Sequence, residues 1–225
     1  MKIFIPENWN ELKSKLDGKF VEIWKDDEEC EIISDNLRIR TPLFELKNFL
    51  EFLCDLGFEY AALIGFDGAE VGIEVKKVKK IEDLEKAKNL ESLKSIIKKL
   101  KNDEFSDYCG AIGIFVGFVR KISEGKVVKR MEYEAYEEAL ERAIRDIEDK
   151  IWQKFDVKVK IYHKTGALEA KEDIVYIVVM GRHRKDIWNA LMEAVENMKS
   201  ELPIWKKEVF DEFEVWVHDK EFKIQ

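Results

Sequence analysis

The amino-acid sequence predicts an α+β protein built in two parts, and three observations carry that expectation. Runs that alternate apolar and polar residues in strand fashion are mixed with long stretches of helical apolar period. Residues 79–103 (KKIEDLEKAKNLESLKSIIKKLKND) break the pattern with a Lys-, Glu- and Leu-rich stretch that lacks Gly and Pro. The 225 residues, 46% hydrophobic and 12% aromatic, suffice for one large core or two small ones.

In the first part, residues 19–24 (KFVEIW) and 31–40 (EIISDNLRIR) read as strands, with β-branched and aromatic residues set against polar ones. Thr41-Pro42 reads as a helix start, a hydroxyl cap followed by Pro at the first helical position. Leu43, Leu46, Leu50 and Leu53 then recur at helical spacing, widened by Phe49 and Cys54, and Gly57 closes the helix. Residues 60–66 and 71–78 read as a hairpin around Asp67-Gly68. Residues 79–103 read as one or two charged helices with a solvated face. The expected organisation is an accessory α+β domain over 1–88, a charged helical linker over 89–104 and a further domain over 105–225.

In the second part, residues 109–119 (CGAIGIFVGFV) read as a buried strand interrupted by small residues, and 120–129 as a polar, Gly-containing loop. Residues 131–136 (MEYEAY) alternate as a strand, and 137–155 carry the period of a long amphipathic helix. Residues 157–164 form another strand, and Gly166 opens a turn. Residues 174–180 (IVYIVVM) are nearly all apolar, as a central strand requires. A helix over 186–199 stops before Pro203, and 214–217 make a last short strand. The order is β, β, α, β, β, α, β.

Charge narrows the functional classes. The chain has 47 acidic and 39 basic residues, a formal net charge of −8. Such a surface repels nucleic acid and anionic membranes at long range, so an anionic substrate needs a local cluster of Lys, Arg and His. No apolar stretch approaches the roughly 20 residues of a membrane span. The opening MKIFI meets Pro6 after five residues and lacks the apolar core of a signal sequence. The expected location is cytoplasmic. Cys30, Cys54 and Cys109 are widely spaced and form no CxxC pair, which fits small buried hydrophobes and argues against a disulfide framework. Gln occurs only at Gln153 and Gln225. That bias fits proteins of hot environments and fits codon usage equally well.

Three basic clusters stand out in the second part. Gly117-Phe118-Val119-Arg120 ends a buried strand in an Arg. Arg182-His183-Arg184 lies where the most apolar strand becomes a helix. Lys199 is followed by Pro203-Ile204-Trp205-Lys206-Lys207-Glu208. Strand ends and helix starts commonly hold ligand groups, and a helix N-terminus adds free N–H donors. Arg grips phosphate with a two-pronged donor set, while His and Lys add tunable charge. Together they describe an anion pocket. Each has a plainer reading as well: a solvated strand end, a structural histidine, and a Lys complementing a helix dipole.

The wording of these segments adds to that reading. GAIGIFVGFVR (110–120), MEYEAYEEALERAI (131–144), HKTGALE (163–169), RHR (182–184) and KSELPIWKKE (199–208), with VWV (215–217), resemble the large subunit of molybdopterin synthase over roughly 107–217. The Lys-x6-Lys block ending in P-x-W-K-K-E is the most specific piece. The chain departs from many relatives at Lys121-Ile122, where they carry a polar Asn-His or Asn-Asp pair, and over its first hundred residues.

The resemblance implies an α/β hammerhead-type fold with an added α+β element, and a homodimer within a heterotetramer. Each chain would bind a small ubiquitin-like sulfur carrier whose C-terminal Gly-Gly tail ends in a thiocarboxylate. Sulfur would pass to cyclic pyranopterin monophosphate to form the molybdopterin dithiolene. It further implies Lys199 as the main catalytic group and Lys206 as its assistant. Phe118, Val119, Arg120, His183, Arg184, Lys207 and Glu208 would bind substrate. No cofactor and no metal are expected. The competing expectation is a binding or scaffold member of the same pathway without activity.

Overall fold

Alternation of apolar and charged residues lays the first part of the chain into strands. The protein's computed structural model describes residues 1–67 and 75–217, with every side chain among them except that of Lys86. It divides into two units, Met1–Ser95 and Ile96–Gln225, and the architecture is mixed α and β.

In the first unit β1 (Lys2–Pro6), α1 (Trp9–Lys13), β2 (Phe20–Asp26), β3 (Glu29–Ser34), β4 (Leu37–Pro42), α2 (Leu46–Asp55), β5 (Tyr60–Ile64), β6 (Lys77–Val78) and β7 (Lys88–Asn89) follow one another. The sheet order is β4-β3-β2-β5-β1-β6, with β7 antiparallel to β1. Strands β1, β2 and β5 are parallel. One face buries Ile3, Val21, Ile23 and Leu63 against Leu46, Leu50 and Leu53 of α2. Phe4, Leu12 and Leu84 pack together in a separate cluster.

Three expectations are corrected here. Residues 31–40 are not one strand but a hairpin, with Ser34 opposite Leu37 across the two-residue turn Asp35-Asn36. The apolar alternation continues on both sides of that turn and hides it, although Asp and Asn are favoured turn residues. Thr41 and Pro42 finish β4 rather than cap a helix: Thr41 is buried opposite Cys30, and a 3-10 turn (Leu43–Glu45) intervenes before α2. The turn of the expected hairpin and the start of its second arm, residues 68–74, lie outside the described residues, and the end of that arm, Lys77–Val78, pairs with β1 rather than β5. The charged stretch holds a 3-10 segment (Ile81–Lys86), β7 and α3 (Leu93–Lys101). Ser92 and Ser95 exchange backbone and hydroxyl hydrogen bonds of 3.0 Å at the start of α3, a reciprocal cap.

In the second unit β8 (Ala111–Phe118) and two short strands β9 (Ile122–Ser123) and β10 (Lys126–Val127) precede β11 (Arg130–Ala135) and α4 (Glu137–Phe155). Then come β12 (Lys158–His163), β13 (Gly166–Glu169), β14 (Asp173–Gly181), α5 (Arg184–Glu201), β15 (Ile204–Val209) and β16 (Glu214–Trp216). A three-stranded sheet runs β12-β14-β8, and a four-stranded sheet runs β13-β11-β15-β16. Ile147 and Ile151 of α4 and Ile187, Ala190 and Ala194 of α5 pack with Val159, Ile177 and Val179 of the first sheet. Strands β13 and β15 go beyond the expected order. A Gly at the head of one, and two lysines and a glutamate inside the other, conceal their alternation.

Gly113 and Gly181 show how α5 is seated. A Cβ on Gly113 would collide with Ile187 Cγ2, while one on Gly181 would be tight against Val157 Cγ1 at 3.0 Å and would touch Ile187 Cγ1 at 3.4 Å. The helix therefore lies across both β8 and β14, and its close approach to β8 requires a glycine at position 113.

Candidate functional site

Because α5 turns back after β14, it runs antiparallel to that strand and parallel to β8. Gly181 pairs with Ala111 at one end of the sheet, where α5 begins, and Asp173 with Phe118 at the other, where α5 ends. This topology sorts the basic clusters. Arg182, His183 and Arg184 are all exposed at the start of α5, and the backbone N–H of His183 donates to Asp186 Oδ2 at 3.1 Å. Arg182 is taken up structurally: it pairs with Asp156 at 3.2 Å and lies over the rings of Phe105 and Tyr108. Lys199 is exposed in the last turn of α5, with Glu196 at 3.5 Å.

Phe118 and Arg120 emerge at the same sheet end as Lys199, and both are exposed. Val119 between them is 1% exposed, packed with Val128, Met131, Tyr133 and Leu168, and its backbone N–H and C=O are bonded to Glu172 and Lys171. The loop after Arg120 is tied to β15: Ser123 Oγ donates to Glu208 Oε1 at 3.2 Å, and Lys129 N–H donates to the Val209 carbonyl at 2.9 Å.

On β15 the two-residue alternation of a strand separates neighbours. Lys206 faces Tyr133 across the β11 ladder, and Glu208 faces Met131, so Lys206, Glu208, Tyr133 and Met131 share one sheet face. Lys207 lies on the other face, bridging Glu132 at 2.8 Å and Glu214 at 3.2 Å, with its ammonium near the Trp216 ring. The structure therefore brings Lys206 and Glu208 together and turns Lys207 away from them.

Tyr133 carries no signal in the sequence, since MEYEAY shows only an alternating strand. Burial pushes its phenol up to about 12, Glu208 adds to the rise, and Arg120 opposes it. The group is thus a neutral donor at physiological pH, within electrostatic reach of both Arg120 and Glu208. Its ring meets His163 edge-on at 5.2 Å. Burial also pushes the Cys30 thiol up to about 11, and it raises Cys109, so neither is an activated nucleophile.

The hydrogen bond from Lys207, and then that from Arg130, hold Glu132 below its ordinary carboxylate value, while Glu132 and Glu214 raise Lys207. A depressed carboxylate contributes stability above its unfolded pKa and loses it as pH falls through the folded one. Lys207→Met is therefore expected to lower Tm by a few degrees at pH 7. The deficit should shrink as pH falls below the ordinary glutamate range and Glu132 protonates, which calorimetry across pH will show.

The cations divide into two groups along α5. From Arg184 to Lys199 is fifteen residues, about 22 Å of helix. Within one chain, α5 therefore keeps Arg184 and its neighbour His183 a helix length away from Lys199, whereas the sequence reading put all of them around one anion pocket. That expectation took no account of the rigid helix between the motifs.

Comparison with known proteins places this geometry in context. The family model described as MoaE protein matches residues 86–201, a span that contains Phe118, Val119 and Arg120, the start of α5 and Lys199 but ends before Lys206. The molybdopterin synthase catalytic subunit of Homo sapiens is 38% identical over 130 residues, covering 55% of this chain and 69% of the relative. That of Bacillus subtilis is 38% identical over 126 residues, covering 56% and 78%. Among solved structures, the molybdopterin synthase from Staphylococcus aureus is 36% identical with a TM-score of 0.48, covering 49% of this chain and 81% of that one.

Proposed function

The chain belongs to the MoaE protein family, and from that premise we propose that it works as the catalytic subunit of a molybdopterin synthase, an enzyme of molybdenum cofactor biosynthesis. It transfers sulfur from a thiocarboxylated carrier protein to cyclic pyranopterin monophosphate, building the dithiolene. What supports the chemistry is that Arg120 and Lys206 stand exposed about the neutral phenol of Tyr133, while Lys199 is exposed in the last turn of α5, toward the sheet end where Phe118 emerges. A sulfur nucleophile delivered by a partner requires no cysteine here. What it does require is positive charge between an anionic tail and an anionic substrate, which otherwise repel.

Lys199 is the principal catalytic group, set near the carrier's terminal carbonyl and the pterin side chain. Lys206 assists by stabilising charge or donating a proton. Phe118, Val119 and Arg120 form one wall, with Val119 contributing through position rather than through its buried side chain. His183 and Arg184 grip the substrate phosphate. Glu208 holds the loop at Ser123, and Lys207 fixes the ladder from its far side.

The two groups of cations, separated by the length of α5, come together when two chains pair about a two-fold axis. His183 and Arg184 of each chain then serve the Lys199 site of the other. With one small carrier bound per chain the assembly is a heterotetramer. The domain organisation that goes with this reading has a hammerhead-type catalytic domain over 105–225, a charged linker over 89–104 and an accessory domain over 1–88. Among the described residues no helix is long and apolar enough to cross a membrane. A cytoplasmic setting goes with the reading as well.

Reconstitution with a thiocarboxylated carrier and the cyclic pyranopterin tests the proposal, with dithiolene formation as the signal. A chain lacking residues 1–88 is expected to retain activity. Complete loss, with the remainder still folded by circular dichroism, would assign the first domain a catalytic part.

A further inference from the structure

Two tyrosines of the second unit are buried, and they differ at the hydroxyl. Tyr176 on β14 donates to Asp173 Oδ2 at 2.9 Å. Tyr133 on β11 is 6% exposed, yet among the described residues its hydroxyl has no hydrogen-bond partner. Nor is that hydroxyl sealed in. The one enclosed polar side-chain atom without a partner among the described residues is the indole nitrogen of Trp9, in the first unit. The ring of Tyr133 therefore belongs to the core while its O–H opens outward.

The ring is firmly held. It packs with Val119, Val128, Met131 and Leu168, and it meets His163 edge-on at 5.2 Å. His163 is fixed in turn, with Nδ1 2.7 Å from the Lys164 carbonyl oxygen. Across the ladder on one side stands Gly166, which has no side chain to crowd the ring. On the other side stands Lys206, with Glu208 beyond it on the same face. Directly opposite residues on a sheet face have Cβ atoms about 5 Å apart, so the Lys206 stem starts beside the ring. Arg120 and Glu208 are the charges that bear on the phenol. Arg120 and Lys206 are exposed and form no ion pair among the described residues.

A phenylalanine would fill the same space. A hydroxyl drawn out of water without a protein partner costs stability, so the oxygen needs another explanation. We propose that Tyr133 contacts the substrate: its O–H donates a hydrogen bond to an anionic oxygen of the bound pterin, between Arg120 and Lys206. This rests on the functional reading above and adds a residue to it. The two cations attract any anion, whereas a neutral donor on a fixed ring selects by position. A ligand with no acceptor at that point leaves the donor unpaired and binds less well. Tyr133 is thus a specificity-determining residue of the site.

The test is Tyr133→Phe in the full-length protein, assayed by dithiolene formation with each substrate varied in turn. KM for cyclic pyranopterin monophosphate is expected to rise about 10-fold, while kcat and the KM for the carrier stay within about 2-fold. Tm by calorimetry is expected to hold or rise. Tyr176→Phe, which breaks an internal hydrogen bond, is expected to show the reverse: a lower Tm and an unchanged KM. Wild-type KM in Tyr133→Phe overturns the inference. So does a rise in the carrier's KM alone, which assigns the hydroxyl to the carrier's tail, and so does a Tm loss matching that of Tyr176→Phe, which makes it structural. In each of those cases an active wild type leaves the functional reading standing. A wild type that forms no dithiolene removes that reading and the contact together.

Discussion

Lys199→Ala is expected to lower turnover by about 10³-fold, close to 4 kcal/mol of transition-state stabilisation, while leaving the fold intact. The magnitude follows from its task. Two anions must approach to bonding distance, and a cation placed between them in a site closed by the carrier acts where water screens least. The side chain makes little structural contribution: it is exposed and meets Glu196 at 3.5 Å within its own helix. Thermal stability should therefore change little, since surface substitutions away from special features rarely exceed about 0.5 kcal/mol. Steady-state kinetics with saturating carrier will separate the outcomes. A variant with wild-type turnover contradicts the assignment, and an unfolded one would identify Lys199 as a structural residue instead.

Mixing two inactive variants should restore activity. His183→Ala with Arg184→Ala removes the phosphate grip, expected to raise KM about 10–100-fold per lost charge-assisted contact, and Lys199→Ala removes the catalytic ammonium. In a mixed dimer one site carries both lesions and the other carries neither. Random pairing makes half of the dimers mixed, so about a quarter of all sites are intact and about a quarter of wild-type activity should return. A self-contained site in each chain predicts only the average of two crippled enzymes. The prediction is strong because the helix is stiff: no side-chain motion spans the roughly 22 Å between Arg184 and Lys199. Activity must be measured after subunit exchange or co-expression, with unmixed variants alongside.

Helices were the most readable part of the chain. The apolar period of 137–155 coincides with α4, and that of 186–199 falls within α5. The core strand 174–180 is likewise β14. What escaped did so for identifiable reasons. Residues 204–209 form a strand between two others, yet IWKKEV reads as polar because Lys207 is neutralised from the opposite strands by Glu132 and Glu214. Missing that strand made Lys206 and Lys207 look like one cluster, although strand alternation points them to opposite faces. Tyr133 carried no signal of its own, since burial and the proximity of Arg120 and Glu208 arise only from the folded ladder. The motifs around His183 and Lys199 were readable as cationic, but their separation depended on treating the intervening fifteen residues as a rigid rod. Asp35-Asn36 was a readable turn, overridden by the alternation on either side of it.

The most direct measurement follows the sulfur itself. Carrier protein bearing ³⁴S in its terminal thiocarboxylate is mixed with this chain and cyclic pyranopterin monophosphate, and the product is weighed by mass spectrometry. Both sulfurs of the dithiolene should be heavy, in Cys30→Ala and Cys109→Ala variants as in wild type. Unlabelled sulfur in the product, or its loss with either cysteine, would mean that the chain supplies the nucleophile and that its cations do some other task.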